Sequence, residues 1–348
     1  MRAILFCANP YAFGILKPLH DELLAQRHDV LWYVPEKISA GFPFKNETKQ
    51  TSLIKDLYIY KSDAIFVPGN EVPHYLRGVK VQVFHGLAGE KAGHFRIRNY
   101  FDLYLTQGPY FTKRFEALAK KNRDFEVKET GWCKLDPLFK NHVEILKERN
   151  LLLNRHGKKK LVLYAPTFSP SLTSAIKKRN DIMKLADTDG TYLLIKFHDL
   201  MNTRVLKEYE ELADGRKNIE IGYDRNIINY LIMADVMISD TSSVVYEFIL
   251  LNKPVITIDS NSKNINWRNI KLHENLPEVF VNELNEDTFK QSRLETIKAY
   301  HPYTDGNSSP RMIAAVEDYI LRNGVPEKRT LNLYRKFKMN RMFGSKPD

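Results

Sequence analysis

The sequence predicts an α/β protein with two doubly wound parallel sheets, and three observations lead to this prediction. Short apolar runs alternate with amphipathic stretches along most of the 348 residues, which is the pattern of strands joined by crossover helices. The alternation pauses once, at the polar, helix-like stretch 141–160. The chain is also longer than one ordinary hydrophobic core. We therefore expect two domains, residues 1–155 and 156–322, followed by a basic tail at 323–348.

The first half contains six apolar runs that predict strands. Between the first two, Ile15, Leu16, Leu19 and Leu23 recur at helical spacing and predict a helix. The turn after the first strand reads ANPYAFG, which lacks the glycines of a dinucleotide-binding loop, so a nicotinamide or flavin cofactor has no support. We expect no cofactor. The predicted strands are 3–7, 30–34, 64–67, 79–84, 103–106 and 125–129.

The second half repeats the pattern with five apolar runs. Two helical stretches at 287–299 and 309–322 are expected to close the second domain, although the last helix could pack back onto the first. Such repetition indicates helices on both faces of each sheet. The predicted strands are 161–165, 192–197, 219–221, 236–238 and 255–258.

Composition limits the partners and the compartment. The formal charge of +11 indicates an anionic partner, whether nucleic acid, a membrane surface or a phosphorylated substrate. The two cysteines, Cys7 and Cys133, form no metal or redox motif, and Cys7 reads as a small core residue, which favours a reducing cytoplasm. The first apolar run stops at Asn9 and Pro10 without a cleavage site, so we expect a buried strand there and not a signal peptide.

The tail at 323–348 alternates basic with apolar and aromatic residues. Such an amphipathic segment can lie on an anionic bilayer. The alternative is a terminal helix that is solvated or packed against protein. No run reaches the roughly 18 apolar residues of a membrane span, so we expect any membrane contact to be made from the surface.

The predicted strand 79–84 delivers His85 and Gly86 at its carboxyl end, where parallel sheets bind ligands. An imidazole with an ordinary pKa of about 6.5 can act as a general base toward a hydroxyl. A histidine that only caps or hydrogen-bonds the fold is the competing interpretation. Three basic residues follow within reach of an anionic acceptor: Lys91, Arg96 and Arg98.

Strand ends of the second half carry further candidates. Thr167 follows strand 161–165, and Lys196 and His198 end strand 192–197, where they could contact phosphates or simply form a surface pair. The run DTSS, residues 240–243, stands between a strand and a helix and could hold an anion or serve as an ordinary helix cap. The candidate donor-binding residues there are Asp240, Thr241, Ser242 and Ser243.

The last candidate segment is HPYTDGNSSPRM. Asp305 belongs to a turn, Ser309 could cap the next helix, and Arg311 could clamp a diphosphate or lie on the surface. We expect no tightly bound metal, because the carboxylates, histidines and cysteines have no ligand spacing.

Six of these fragments, in order, resemble the CDP-glycerol glycerophosphotransferases, the teichoic-acid primases and polymerases. They are HG at 85–86, G-aromatic-x-(R/K)-x-D at 131–136, LYAPT at 163–167, K-x-H at 196–198, AD-x-x-I-(T/S)-D-x-SS at 234–243 and DG-x-(A/S)-S-x-R at 305–311.

The resemblance implies a GT-B fold, two Rossmann-like domains facing across a cleft. The implied reaction moves glycerol phosphate or a related polyol phosphate from a CDP-activated donor to an acceptor hydroxyl, on a lipid-linked or polysaccharide chain of teichoic acid, capsule or lipopolysaccharide. It further implies that His85 is the base, that His198 lies near the donor phosphates, and that Ser242, Ser243 and Arg311 bind them. The implied location is the inner face of the cell membrane.

This sequence departs from the family pattern around the acceptor. Phe84 stands where the family has Trp, residues 87–89 read LAG where Thr, Pro and Leu are expected, and Thr241 replaces a tyrosine. A GT-B glycosyltransferase that uses a nucleotide sugar is therefore an alternative. A non-catalytic nucleic-acid-binding protein is another, but the sequence contains no such motif and its basic residues are scattered outside the tail. We expect no nucleic-acid partner.

Overall fold

The computed structural model describes residues 1–347 except 88, 90–92, 141, 225 and 264. The chain forms two compact units. The first combines Met1–Phe139 with Ala299–Asp348, and the second is Lys140–Lys298.

The first unit is built on a seven-stranded, fully parallel sheet of order β3-β2-β1-β4-β5-β6-β7. The order reverses between β1 and β4, which makes that edge a topological switch point where such sheets bind ligands. The strands are β1 Arg2–Phe6, β2 Asp29–Tyr33, β3 Gln50–Thr51, β4 Ala64–Val67, β5 Val79–Gln82, β6 Leu103–Thr106 and β7 Glu126–Glu129.

The second unit has a six-stranded parallel sheet of order β10-β9-β8-β11-β12-β13, with its switch point between β8 and β11. All eleven predicted strands are confirmed to within one or two residues. Among the described residues, the short strands β3 and β13 escaped prediction, because two or three residues, most of them half-buried, leave no apolar run. The strands are β8 Lys160–Tyr164, β9 Thr191–Ile195, β10 Ile219–Ile221, β11 Val236–Ser239, β12 Val255–Ile258 and β13 Arg268–Ile270.

Helices cover the sheets of each unit. The first unit contains α1 Ala12–Ala25, α2 Glu36–Ser39, α3 Ile54–Tyr60, α4 Pro109–Asn122, α5 Asp136–Phe139, α13 Ser308–Asn323 and α14 Leu333–Phe343, with a 3-10 turn at Cys133–Leu135. The second contains α6 Val143–Arg155, α7 Arg179–Lys184, α8 Thr203–Ala213, α9 Ile227–Met233, α10 Val244–Ile249, α11 Leu276–Glu286 and most of α12 Lys290–Tyr300, with a 3-10 turn at Leu185–Asp187.

The central strands lie within the cores and are buried on both faces. All four residues of β4, β5 and β11 are buried, for example, as doubly covered parallel strands require. Cys7 is buried, as predicted for a core residue, and burial raises the pKa of its thiol to about 12. Cys133 is buried as well, and both thiols are free.

The predicted domain boundaries differ from the observed units. Helix α6 lies wholly in the second unit, whereas α13, predicted to close the second domain, packs against α1, β5 and the 3-10 turn of the first. The reason is a long-range cap. The Asp136 carboxylate accepts hydrogen bonds from the amides of Ser308 and Ser309 at 2.8 and 2.7 Å, and so binds the start of α13 to the first unit.

The tail at 323–348 is not a separate segment but part of the first unit. The Arg329 guanidinium donates to Asp102 and Asp124 at 2.6 and 2.9 Å. Helix α14 buries Met339 completely. Its opposite face exposes large apolar side chains: Leu333 is 83% exposed, Tyr334 75% and Phe337 67%. The helix is therefore packed on one side and uncovered on the other. In the part of the chain that the structure describes, we find no helix both long and apolar enough to cross a membrane.

Candidate active site

His85 lies three residues beyond the end of β5, and its ring is exposed. Its Nδ1 stands 2.9 Å from the carbonyl oxygen of Pro68. A carbonyl can only accept, so Nδ1 must carry the proton, and in the neutral ring Nε2 is left with a lone pair. The ring of Tyr11, itself 47% exposed, lies 5.2 Å from that of His85 between centroids. The arrangement presents a hydrogen-bond acceptor to solvent.

The predicted acceptor-binding residues differ in how the fold holds them. The Gly86 carbonyl accepts from the Gln107 side chain at 3.1 Å, so Gly86 is held by its backbone. The Arg98 guanidinium donates to the side chain of Asn70 at 3.1 Å and to the carbonyl of Arg96 at 3.2 Å. Arg96 is exposed. Lys91 lies outside the described residues.

His198 follows β9 in the second unit, and its residue is exposed. Its Nδ1 accepts from the amide of Leu200 at 3.1 Å, so in the neutral ring the proton is on Nε2. The ring packs at 4.6 Å from that of Phe168. Burial lowers the pKa of His198, which favours the neutral form. His198 therefore presents a hydrogen-bond donor.

Lys196 is largely buried, and its ammonium donates to the carbonyl of Phe197 at 2.6 Å. Burial lowers its pKa, and Asp199, 3.8 Å away, opposes that shift. The Lys196 charge is thus directed into the protein.

The switch point of the second sheet lies between β8 and β11. Thr167 follows β8, and residues 240–243 directly follow β11. The Ser242 amide donates to the Asp240 carbonyl at 2.9 Å. Thr241 Oγ1 accepts from the Asn261 amide at 3.3 Å. Ser243 is exposed and Ser242 half-buried. The hydroxyls of Ser242 and Ser243 make no hydrogen bond to the part of the chain that the structure describes, and they remain candidates for binding an anion.

Asp240 differs from its prediction as a donor-binding residue. Its carboxylate is 1% exposed and accepts from the amides of Thr167 and Ser174 and from the Ser174 hydroxyl, at 2.8, 2.8 and 2.9 Å. Burial raises its pKa to about 6, and the three hydrogen bonds oppose the shift. Because its oxygens are engaged inside the fold, Asp240 shapes the loop after β8 and does not face a ligand.

Asp305, Ser309 and Arg311 lie in the first unit, not in the second as predicted. Ser309 is 1% exposed and its hydroxyl donates to Asp136 at 2.6 Å, so it is a structural cap. Arg311 donates to the Thr130 carbonyl at 2.8 Å and pairs with Asp305 at 2.7 Å, and this pairing lowers the Asp305 pKa. Its charge is already neutralised by Asp305. Among the described residues, no three His, Cys, Asp or Glu side chains are grouped to hold a metal ion.

Comparison with known protein families shows which family this chain belongs to. The sequence model of the CDP-Glycerol:Poly(glycerophosphate) glycerophosphotransferases matches residues 27–264, which include both histidines and the 240–243 loop. The chain belongs to this family.

Relatives of known activity agree with that assignment. This chain is 30% identical over 212 residues to the teichoic acid glycerol-phosphate primase of Bacillus spizizenii strain W23. The matched region covers 56% of this chain and 54% of the primase. It is 24% identical to the teichoic acid ribitol-phosphate polymerase TarK of Staphylococcus aureus, over 90% of this chain and 67% of the polymerase. The chain thus spans about half the length of the primase that it matches.

The fold of the family member is GT-B, as predicted. The structure of the wall teichoic acid polymerase TagF superposes with a TM-score of 0.66 at 15% identity, covering 92% of this chain and 89% of that chain. A TagF variant soaked with CDPG gives a TM-score of 0.64 at 16% identity, with the same coverage of both chains.

Sequence reasoning missed the residues that orient the candidates. The Pro68 carbonyl, which determines the His85 tautomer, is a backbone group and carries no side-chain signal. Asp136 and Ser174 bind loops 172 and 66 residues away in sequence. The motif at 131–136 contained Asp136, but nothing in the sequence alone indicated its partner.

Proposed function

We propose that this protein transfers glycerol phosphate, or a related polyol phosphate, from a CDP-activated donor to an acceptor hydroxyl in a cell-surface polymer and releases CMP. The acceptor oxygen attacks the phosphorus that bears the polyol. A new P–O bond forms there, the P–O bond to the cytidine phosphate breaks, and CMP departs with the electron pair. The acceptor's proton goes to Nε2 of His85.

The observation that carries this proposal is the hydrogen bond from His85 Nδ1 to the Pro68 carbonyl. It leaves Nε2 of this exposed residue as an acceptor, which is the state a general base needs before it takes a proton. Family membership supplies the reaction class, and the TagF variant was soaked with CDPG.

Donor binding is assigned to the second unit. His198 presents an Nε2 proton, which can donate to a phosphate oxygen without adding a full charge. The hydroxyls of Thr167, Thr241, Ser242 and Ser243 stand at the ends of the strands beside the switch point. Phosphoryl transfer depends chiefly on alignment and on stabilising negative charge, which such groups supply.

The test is release of CMP from CDP-glycerol by the purified protein with a lipid-linked or polysaccharide acceptor. A panel of CDP-glycerol, CDP-ribitol, UDP-sugars and CMP-sugars is compared in parallel by thermal shift, because the preferred donor stabilises the folded protein most. We expect the CDP-polyols to give the largest shift. A larger shift with a UDP-sugar, or CMP release unchanged by His85→Ala, would contradict the proposal.

We further propose that α14 holds the protein on an anionic membrane, at the cytoplasmic face where lipid-linked acceptors would be available. Its uncovered apolar side chains are interspersed with Arg335, Lys336 and Arg341. Such a face can insert its rings at the headgroup level while each cation adds about 1 kcal/mol.

Co-sedimentation with vesicles tests this surface. Binding to phosphatidylglycerol vesicles, weak binding to phosphatidylcholine and loss of binding in Tyr334→Ser/Phe337→Ser are expected. The matched control is Ile59→Ser, which removes a side chain 63% exposed on α3 and is expected to leave binding unchanged. Equal binding by the double variant and the wild type would exclude α14 as the contact.

A further inference from the structure

Two segments of the first unit meet at one carbonyl. Pro68 directly follows β4, and its oxygen accepts from His85 Nδ1 at 2.9 Å and from Gln82 Nε2 at 3.2 Å. The same Gln82 nitrogen lies 3.2 Å from the carbonyl oxygen of Val67. The last side chain of β5 thus donates to consecutive carbonyls at the end of β4.

Gln82 is an unusual residue for its position. It is 3% exposed in a strand whose other members are Val79, Lys80 and Val81, at the centre of the sheet. A buried amide costs free energy unless it is hydrogen-bonded, so an apolar residue would be the simpler solution for packing. The two carbonyls that the Gln82 amide reaches are those of Val67, the last residue of β4, and of Pro68, in the turn that also contacts His85. Its polarity is therefore directed at that turn.

The backbone between Gln82 and His85 is also constrained. Phe84 has a φ of 62°, in the left-handed region that non-glycine residues seldom occupy. Its side chain is buried, with its ring 5.1 Å from that of Phe115. Such conformations persist only where surrounding structure enforces them, and they concentrate at functional sites. The buried Phe84 ring thus stabilises the left-handed backbone just before His85. Gln82 donates to the Pro68 carbonyl, which is the group that accepts from the His85 ring.

We propose that Gln82 is a positioning residue for His85: by donating to the Pro68 carbonyl, it fixes the orientation of that acceptor and so keeps the His85 proton on Nδ1 and the lone pair on Nε2. Gln82 does not touch the substrate. The inference rests on the proposed role of His85 as base, but the tautomer of His85 is measurable without any substrate.

Nitrogen-15 NMR of histidine-labelled protein provides that measurement, with the His85 signal assigned by its loss in His85→Ala. The wild type is expected to show the tautomer protonated on Nδ1. In Gln82→Met, which keeps the side-chain length but removes both donors, a mixture of tautomers is expected. Gln107→Met is the nearby comparison, since Gln107 donates to Gly86 and not to Pro68. It is expected to leave the His85 tautomer unchanged.

Kinetics give the second readout. We expect kcat for transfer to fall about tenfold in Gln82→Met, less than the roughly hundredfold that a 1 Å misplacement can cause. The KM for CDP-glycerol is expected to stay within twofold, because donor binding is assigned elsewhere. Gln291→Met, the same change at an exposed position on α12, is expected to alter neither.

The outcomes separate this inference from the proposed function. An unchanged His85 tautomer in folded Gln82→Met, or a wild-type His85 protonated on Nε2, would overturn the inference whether or not the enzyme transfers glycerol phosphate. The wild-type tautomer is measured without any variant, so this test remains available even if Gln82→Met fails to fold. A Gln82-dependent tautomer in a protein that releases no CMP from any CDP-polyol would support the inference and reject the proposed function.

Discussion

His85 and His198 each lie three residues beyond the end of a parallel strand in their own unit, yet their hydrogen bonds are opposite. His85 Nδ1 donates to the Pro68 carbonyl, whereas His198 Nδ1 accepts from the Leu200 amide. The first ring therefore presents a lone pair on Nε2 and the second a proton. A backbone group of opposite polarity beside each ring is enough to make one imidazole a candidate base and the other a candidate donor.

The largest expected effect comes from replacing the candidate base. His85→Gln retains polarity and size but has no basic nitrogen, and we expect kcat to fall about a thousandfold, within the range for loss of a general base. The rate of CMP release under saturating donor measures it. His85→Ala is expected to be equally inactive. Appreciable activity in either variant would remove the distinction between the rings.

His198 is expected to respond differently to the same replacements. His198→Ala removes the Nε2 proton and should lower kcat about a hundredfold, as loss of one charge-stabilising donor does. His198→Gln keeps an N–H group at that end of the side chain and should lose tenfold or less. The two variants are compared in one CMP-release assay. If glutamine rescues position 85 but not position 198, the roles are reversed.

A smaller effect is expected at Asp240, the buried carboxylate that accepts from the loop after β8. Asp240→Ala leaves the amides of Thr167 and Ser174 without their acceptor, which should cost the second unit about 2 kcal/mol. Scanning calorimetry should show a lowered melting temperature for the transition of that unit. The matched variant Asp136→Ala should lower the transition of the first unit instead. A shift of the same transition by both would show that the units do not unfold separately.

The final expected effect is confined to the pH dependence of stability that Asp240 confers. Its folded-state pKa, raised by burial to about 6, exceeds the ordinary 3.8, so the folded protein binds the proton more tightly than the unfolded chain. Its contribution to stability is complete below pH 4 and is lost as the pH rises to about 6. The melting temperature of wild type minus that of Asp240→Asn should thus decrease over this range. A difference that increases with pH would contradict the raised pKa.

The sequence was sufficient for the eleven longer strands and the positions of both histidines, because apolar runs and strand ends are local patterns. It was insufficient for the tautomers, since these depend on the Pro68 carbonyl and the Leu200 amide, and every residue has such groups. It also misplaced Ser309 and Asp240 as ligand contacts. In a sequence, a polar residue that caps a helix or loop looks the same as one that binds a ligand. Only the burial of Ser309 and Asp240 in the structure shows that they have the structural role.

The discontinuity of the first unit has a consequence for synthesis of the protein. Its sheet is complete by Glu129, but α13 and the Arg329 contacts are translated only after the whole second unit. The second unit can therefore complete its structure on the ribosome before the first unit does. Until α13 is synthesised, the face of the first sheet that it covers is accessible to chaperones. A premature stop before Ser308 would leave that face uncovered.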